Sequence, residues 1–329
     1  MAKFCGVNLP QTNIKLISDQ IENLQSNQKQ TLYFLYSEFL LRANRNVSYK
    51  DVLAAANITA IDGQGLEWTN QMLTRAAKRL SSNQLQTVIQ FGFNLALNVF
   101  TGFLVIIFKV KLVDTSNQVI LGRDFVYNLF DIATNKHWKI GVIGGSDQLE
   151  SSLKNLQPNL DFKFWYREYD SELMQDKPKH TQIPHNNFDL VHSYLNPSNL
   201  YSKFPELEDA KEFLINNNFD LVLVCLGGAS GKQEFFIKDI QNDQRVHFRL
   251  ATGLGAGLDH LGSGAKQKRV PKWLEQFGLE AFYRVFSNPK RAMRIWDSLF
   301  TLWWWTSLQP FIKNDKQINL ANLSDNNVD

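Results

Sequence analysis

Short apolar runs alternate with amphipathic stretches along much of this chain, and each change of period marks an expected element. Phe4 to Asn8 reads as a short strand, and Asn13 to Leu24 as an amphipathic helix. Leu32 to Tyr36 is a second apolar run, followed by helical patterns at Glu38 to Arg45 and Asp51 to Ala56. Thr69 to Leu80 reads as a helix with a basic face at Arg75, Lys78 and Arg79. From Leu121 onward the alternation is regular: helix at Asp124 to Ala133, strand at Trp138 to Ile143, helix at Gln148 to Leu156, extended Phe162 to Arg167. Asp170 to Ser202 is polar and carries Pro178, Pro184 and Pro197, the pattern of a long loop. A helix at Glu206 to Asn216 leads to the most apolar strand, Leu221 to Leu226, and Val246 to Thr252 reads as the last strand. Strands alternating with helices predict an α/β fold: a Rossmann-like parallel sheet with helices on both faces.

One stretch breaks the rhythm. Between Arg79 and Lys109 no residue is charged. Gln86, Gln90, Asn94 and Asn98 recur every four residues and would form one amide stripe on a helix. Two readings stay open: a core helix followed by a β-hairpin (Leu104 to Val113, a turn at Asp114 to Asn117, then Val119 to Leu121), or a helix lying on or inserted into a membrane, which tolerates few such amides.

Composition changes this picture little, and charge distribution changes it more. With 44% hydrophobic and 20% charged residues, the chain is globular rather than disordered. The net charge is only +3, but Lys266 to Arg294 holds eight basic against two acidic residues, so that segment carries +6 and the remainder −3. A localised basic segment calls for an anionic partner. Helical patterns at Lys272 to Phe277 and Glu280 to Phe300 combine that charge with aromatic residues and run into Trp303 to Trp305. Three adjacent tryptophans cannot all face one side of a helix, so at least one is expected at a surface. The two cysteines, Cys5 and Cys225, offer neither a disulfide framework nor metal spacing, which fits a reducing cytoplasm. His180, His185 and His192 lie in the polar loop without carboxylates or cysteines at ligand spacing, so no metal is expected. The N-terminal ten residues, broken by Lys3, Asn8 and Pro10, lack the pattern of a signal peptide.

Candidate chemistry gathers at glycine-rich strand ends. In Asn57 to Gly65 an apolar run delivers Asp62 into a turn containing Gly63 and Gly65. Such a pair is an ordinary turn or a place where chain and ligand meet closely. Gly144-Gly145 closes the strand at Ile143, as a nucleotide turn or a tight connection, without a full dinucleotide fingerprint. Leu221 to Glu234 reads as a buried strand opening into a flexible loop that ends in Lys232, Gln233 and Glu234, which suits a sugar nucleotide but is no Walker A loop. Gly253, Gly255 and Gly257 follow the last strand. Parallel sheets bind ligands at such carboxyl ends.

Taken in order, these elements resemble the WecG/TagA/CpsF glycosyltransferase family (glycosyltransferase family twenty-six). The resemblance is carried by Ile61-Asp62-Gly63, Gly122-Arg123-Asp124, Gly144-Gly145, Lys232-Gln233-Glu234, Arg269-Val270-Pro271-Lys272-Trp273, Leu279-Glu280-Ala281-Phe282-Tyr283-Arg284 and Pro289-Lys290-Arg291-Ala292-Met293-Arg294. It implies inverting, metal-independent and cofactor-free transfer from a UDP-sugar of N-acetylmannosamine type. The implied acceptor is an undecaprenyl-diphosphate-linked N-acetylglucosamine at the cytoplasmic face of the membrane. By position, Asp62 would be the general base, and Arg284, Arg291 and Arg294 would balance the departing diphosphate. Gly63, Gly65, Asp124, Gly144, Gly145, Gln233 and Glu234 would complete the substrate site.

The chain departs from the family pattern at Phe34 and Tyr36, where a Thr-x-Asn pair is usual, at Val119 in place of an arginine, and at Ser230-Gly231 in place of a proline. These departures keep a second reading open, a catalytically degenerate sugar-nucleotide or lipid-binding scaffold. The expected organisation is a Rossmann-like domain over 1–265 with an inserted segment at 70–118, a helical membrane-associating appendage over 266–312 and a flexible tail over 313–329. The membrane surface is an expected partner through the appendage and residues 86–108. Nucleic acid is not expected, because no nucleic-acid module is recognisable. A homo-oligomer is compatible with the sequence.

Overall fold

The computed structural model describes residues 3–4, 7–8, 13–63, 66–69, 95–102, 119–145, 147–165, 195–226, 231–258, 283, 303–304 and 306–307. Eight strands are present among them: β1 Lys3–Phe4, β2 Val7–Asn8, β3 Gln30–Leu35, β4 Ile58–Ile61, β5 Lys139–Gly144, β6 Asp161–Trp165, β7 Leu221–Cys225 and β8 Leu250–Gly253. Strands β3 to β8 form one sheet in the order β4-β3-β8-β7-β5-β6. Every pairing in it is parallel. Strand β7 explains why its sequence is a continuous apolar run: Leu221, Val222, Leu223 and Val224 are all at 0% exposure, covered on both faces.

Alternate side chains of the sheet feed two separate cores. Tyr33, Leu35, Val222, Val224 and Ala251 enter one; Leu32, Phe34, Leu221, Leu223 and Leu250 enter the other. The first core is closed by α2 Ser37–Arg45, α3 Val47–Ala54, the four-residue Leu200–Lys203 helix, Glu206–Ile215 and Lys232–Asn242. The second is closed by α1 Ile14–Glu22, α4 Gly122–Lys136 and α5 Asp147–Leu156. The remaining helices are α6 (Leu200–Lys203), α7 (Glu206–Ile215) and α8 (Lys232–Asn242) in chain order. Local chemistry sets several boundaries. Asn13 caps α1 by accepting from the Leu16 amide at 2.8 Å, and Asn46 caps α3 through Tyr49 at 3.0 Å. His137, at φ 52°, ends α4 in the left-handed region.

The connections fix where a ligand belongs. From β5 the chain crosses by α5 to β6 at one edge of the sheet, whereas from β7 it crosses by α8, on the opposite face, toward β8. Departures in opposite directions open a crevice at the carboxyl ends of β5 and β7. The amino edge is locked instead. Asp220 accepts from Arg249 Nε at 2.6 Å and from the Lys139 amide at 3.0 Å, tying together the starts of β5, β7 and β8.

Four expectations change. Phe4 to Asn8 is a two-strand antiparallel ribbon outside the main sheet. The strand expected from Val246 starts only at Leu250, because the Asp243 carbonyl turns the chain by accepting from the Val246 amide. Lys232, Gln233 and Glu234, expected as the end of a loop, are the first turn of α8, whose buried face continues with Phe235, Phe236, Ile237 and Ile240. The polar segment ends in a short 3-10 turn at Pro197–Asn199 and then α6. Of the helix expected over Thr69 to Leu80 only Thr69 is described, at the end of a helical stretch over 66–69, and of the expected hairpin only residues 119–121 are described, where they form no strand.

Candidate functional site

Four of the six parallel strands deliver candidate residues to the carboxyl edge: Asp62 and Gly63 after β4, Gly144 and Gly145 at β5, Gly231 to Glu234 after β7, and Gly253 to Gly255 after β8. Asp62 and Gly144 are four strand positions apart in the sheet, about 19 Å at the usual strand spacing. The β8 end lies midway between them.

Asp62 is half-buried and held by its backbone, whose N–H donates to the Leu35 carbonyl at 2.7 Å. Its carboxylate oxygen Oδ2 accepts from the Gly122 amide at 3.4 Å, at the start of the fifteen-residue helix α4. The amide and the positive end of the helix dipole favour a carboxylate there. Gly122 permits the approach of Phe34, whose ring would lie 3.0 Å from a Cβ at that position. Gly63 has φ 104° and its carbonyl accepts from the Glu67 amide, so the turn after Asp62 is built on a conformation that other residues rarely adopt.

Gly144 and Gly145 have φ 89° and 97°. A Cβ on Gly144 would lie 2.7 Å from the Cys225 carbonyl oxygen, and one on Gly145 would lie 2.7 Å from Leu149. The pair therefore brings β5 tightly past β7 and into α5. This packing accounts for both glycines as a close connection, and it leaves them at the crevice between β5 and β7.

Gln233 and Glu234 begin α8 and point inward, at 2% and 0% exposure. Gln233 Nε2 donates to Glu234 Oε1 at 3.1 Å, and its Oε1 accepts from the Gly255 amide at 3.0 Å. A Cβ on Gly253 would lie 2.1 Å from Gln233 Nε2, so the amide is seated directly against the end of β8. Burial raises the Glu234 carboxyl above its ordinary range, opposed chiefly by the charge of Arg42. Its second oxygen has no hydrogen-bond partner among the described residues.

Arg42, Tyr49 and Tyr33 surround this carboxyl. Arg42 Nη2 pairs with Glu38 at 3.1 Å, and Nη1 donates to the Tyr49 hydroxyl at 3.4 Å. Tyr33 donates to the Glu234 carbonyl at 3.3 Å. Burial and then the charge of Glu234 push both tyrosine hydroxyls well above their usual range, so both remain protonated. Burial pulls the Arg42 guanidinium down, but Tyr49, Glu234 and Glu38 together outweigh it and hold it above its ordinary value. Sequence reading missed Glu38, Arg42 and Tyr49. The only signal was the spacing of Glu38 and Arg42 on one helix face.

Asp124, in the first turn of α4, lies 3.6 Å from Arg123 Nε with its side chain half exposed. Gly65, Arg284, Arg291 and Arg294 lie outside the described residues, as does most of 86–108 and of the 266–312 appendage. Asn98, the last amide of the uncharged stripe, is described: it is buried and donates to Ser307 Oγ at 2.8 Å. Ser307 donates in turn to the Trp303 carbonyl, and Trp303 packs edge-on against Trp68 at 6.5 Å. Trp303 is buried and Trp304 is 40% exposed, which is the split expected of adjacent tryptophans. Among the described residues no helix is long and apolar enough to cross a membrane, and no three His, Cys, Asp or Glu side chains gather as a metal site would require.

Comparison with known proteins gives one result of consequence. The family model described as "Glycosyl transferase WecG/TagA/CpsF family" matches residues 83–316. The match includes Asp124, Gly144, Gly145, Gln233, Glu234, Arg284, Arg291 and Arg294, and begins after Asp62. No curated protein matches the chain.

Proposed function

This chain belongs to the WecG/TagA/CpsF glycosyltransferase family, and from that membership in a family of cell-surface polysaccharide synthesis we propose a specific reaction for it. The protein transfers a sugar of N-acetylmannosamine type from a UDP-sugar to an undecaprenyl-diphosphate-linked N-acetylglucosamine, with inversion and without a metal, at the cytoplasmic face of the membrane. Asp62 removes the proton of the acceptor hydroxyl. That oxygen attacks the anomeric carbon of the donor, the bond from this carbon to the diphosphate oxygen breaks, and the electron pair leaves with UDP. One carboxylate suffices, because a diphosphate leaves without protonation. Arg284, Arg291 and Arg294 balance the charge that develops on it, a task for which guanidinium groups are well shaped.

The observation that carries this reading is the placement of Asp62. It stands at the carboxyl edge of a parallel sheet, beside a helix N-terminus, on the same edge as the Gly144-Gly145 turn and the Gln233 cluster. Such an edge suits an extended ligand with its reacting carbon near the carboxylate and its nucleotide further along the strand ends. The test is UDP release from UDP-N-acetylmannosamine with an analogue of lipid-diphosphate N-acetylglucosamine as acceptor. Release that needs both substrates supports the reaction. UDP binding without release or transfer from any UDP-sugar supports the alternative, a scaffold that binds sugar nucleotide without turning it over.

Phe34 and Tyr36 favour keeping that alternative in view. Phe34 is 5% exposed and packs at a tilt against Phe125, 5.8 Å between ring centres, and Tyr36 packs against Phe39 at 4.4 Å. Both lie where the family pattern carries short polar side chains, next to the strand that bears Asp62.

A further inference from the structure

Arg42 is a buried cation that the reaction above does not use. Its side chain packs at the start of α8, and its charge acts on the Glu234 carboxyl. Gly231, the N-cap of α8, has φ 72°, and a Cβ there would lie 3.0 Å from Tyr49 and 3.3 Å from both Cδ and Nη1 of Arg42. The Arg42–Tyr49 pair, with the guanidinium 5.1 Å from the tyrosine ring centre, therefore forms the wall against which Gly231 begins α8. The Glu234 carboxyl lies one residue beyond Gln233 in the same turn, and there, against burial, Arg42 first and Tyr49 after it favour the charged form. Glu234 accepts from the Gln233 amide, and the other end of that amide accepts from Gly255. An amide has two ends of opposite polarity, so a fixed acceptor at one end determines which way it faces. With Glu234 held, Gln233 presents its oxygen to the backbone that leaves β8.

We propose that Arg42 is a positioning residue for the sugar-nucleotide site: acting through Tyr49 and Glu234, it holds the Gln233 amide in one orientation and so fixes the Gly253–Gly255 backbone and the start of α8 against which the donor sits. The inference rests on the sugar-nucleotide reading of this edge. Arg42 does not touch the donor. Its effect passes through Gln233, and this makes it separable from simple support of the fold.

The separation comes from a double-mutant cycle on the full chain, with UDP as the probe and calorimetric affinity as the readout. Arg42→Met weakens UDP binding roughly tenfold in the wild-type background and by less than about twofold in a Gln233→Ala background, because the group through which it acts is already gone. Arg42→Lys keeps the charge without the planar fork and falls between Arg42→Met and wild type. Equal losses in both backgrounds show a general packing role and overturn the proposal, as does an Arg42→Met protein that folds and binds UDP as wild type does. If Arg42→Met does not fold, the same cycle with Arg42→Lys decides by the same criterion. A wild-type protein that fails to bind UDP overturns the sugar-nucleotide reading itself, an outcome distinct from a flat cycle.

Discussion

The Gly122 amide donates to the Asp62 carboxylate across 3.4 Å, joining the end of β4 to the first residue of α4. The contact is long and leaves most of the carboxylate's acceptor capacity unused by that amide. Asp62→Asn preserves shape and can still accept from Gly122, but it cannot take a proton from an acceptor hydroxyl. Turnover should fall by about 10²–10⁴-fold, the usual contribution of a general base, while UDP affinity stays within about twofold. UDP release by the variant at the wild-type rate would remove Asp62 from the reaction.

Gly253 admits no side chain. A methyl group there would meet the Gln233 amide nitrogen at 2.1 Å, and the amide is enclosed at 2% exposure with little room to retreat. Gly253→Ala should therefore cost about 1–3 kcal/mol of stability by overpacking and should weaken UDP binding by displacing Gln233. Denaturant unfolding and calorimetry on the same preparation check the two effects. A variant that matches wild type in both would show that Gln233 is not seated as described.

The sheet was legible in the sequence because its strands are short apolar runs separated by amphipathic helices, and β7 in particular could be buried only on both faces. The residues at the strand ends were legible for a different reason. Gly63, Gly144 and Gly145 occupy positive φ or close approaches that glycine alone adopts easily, so their type carried a conformational message. Arg42 and Tyr49 carried no such message. They reach Glu234 from a separate part of the chain, and their burial depends on tertiary packing that no local pattern encodes. Helix α8 was misread for a related reason. Lys232, Gln233 and Glu234 look like a solvated loop end, yet two of the three are buried, with the Gln233 amide joined to its neighbour Glu234 and to the distant Gly255 backbone.

Glu234 gives stability a distinct dependence on pH. Its folded carboxyl binds a proton more tightly than an ordinary glutamate because it is buried. The folded state therefore holds more protons than the unfolded state once the pH exceeds the ordinary glutamate value of about 4.3, and this group lowers stability as pH rises from there through its folded range. Glu234→Gln copies the protonated form in shape and removes the titration. Across pH 4.5 to 7.5, on the order of three pH units, the variant should gain stability relative to wild type as the pH increases, read from denaturation midpoints at each pH. A constant difference, or one that moves the other way, would contradict the raised carboxyl.

The described part of the C-terminal segment is held to the rest of the protein through Trp303. Its ring stands edge-on to Trp68 at 6.5 Å, and a Cβ on Gly102 would lie 2.4 Å from its indole nitrogen. Trp68, six residues past Asp62 in sequence, donates in turn to Thr101 at 3.3 Å, and Asn98 reaches Ser307 at 2.8 Å, so Trp68, Asn98, Thr101, Gly102, Trp303 and Ser307 form one packed unit. Gly102→Val forces the indole away, at a cost of about 1–3 kcal/mol localised to this unit. Amide hydrogen exchange should accelerate in peptides that cover 95–102 and 303–307 and remain slow in β7, whose protection reports the whole sheet. Unchanged exchange in both peptides would mean that Trp303 does not occupy this position in solution.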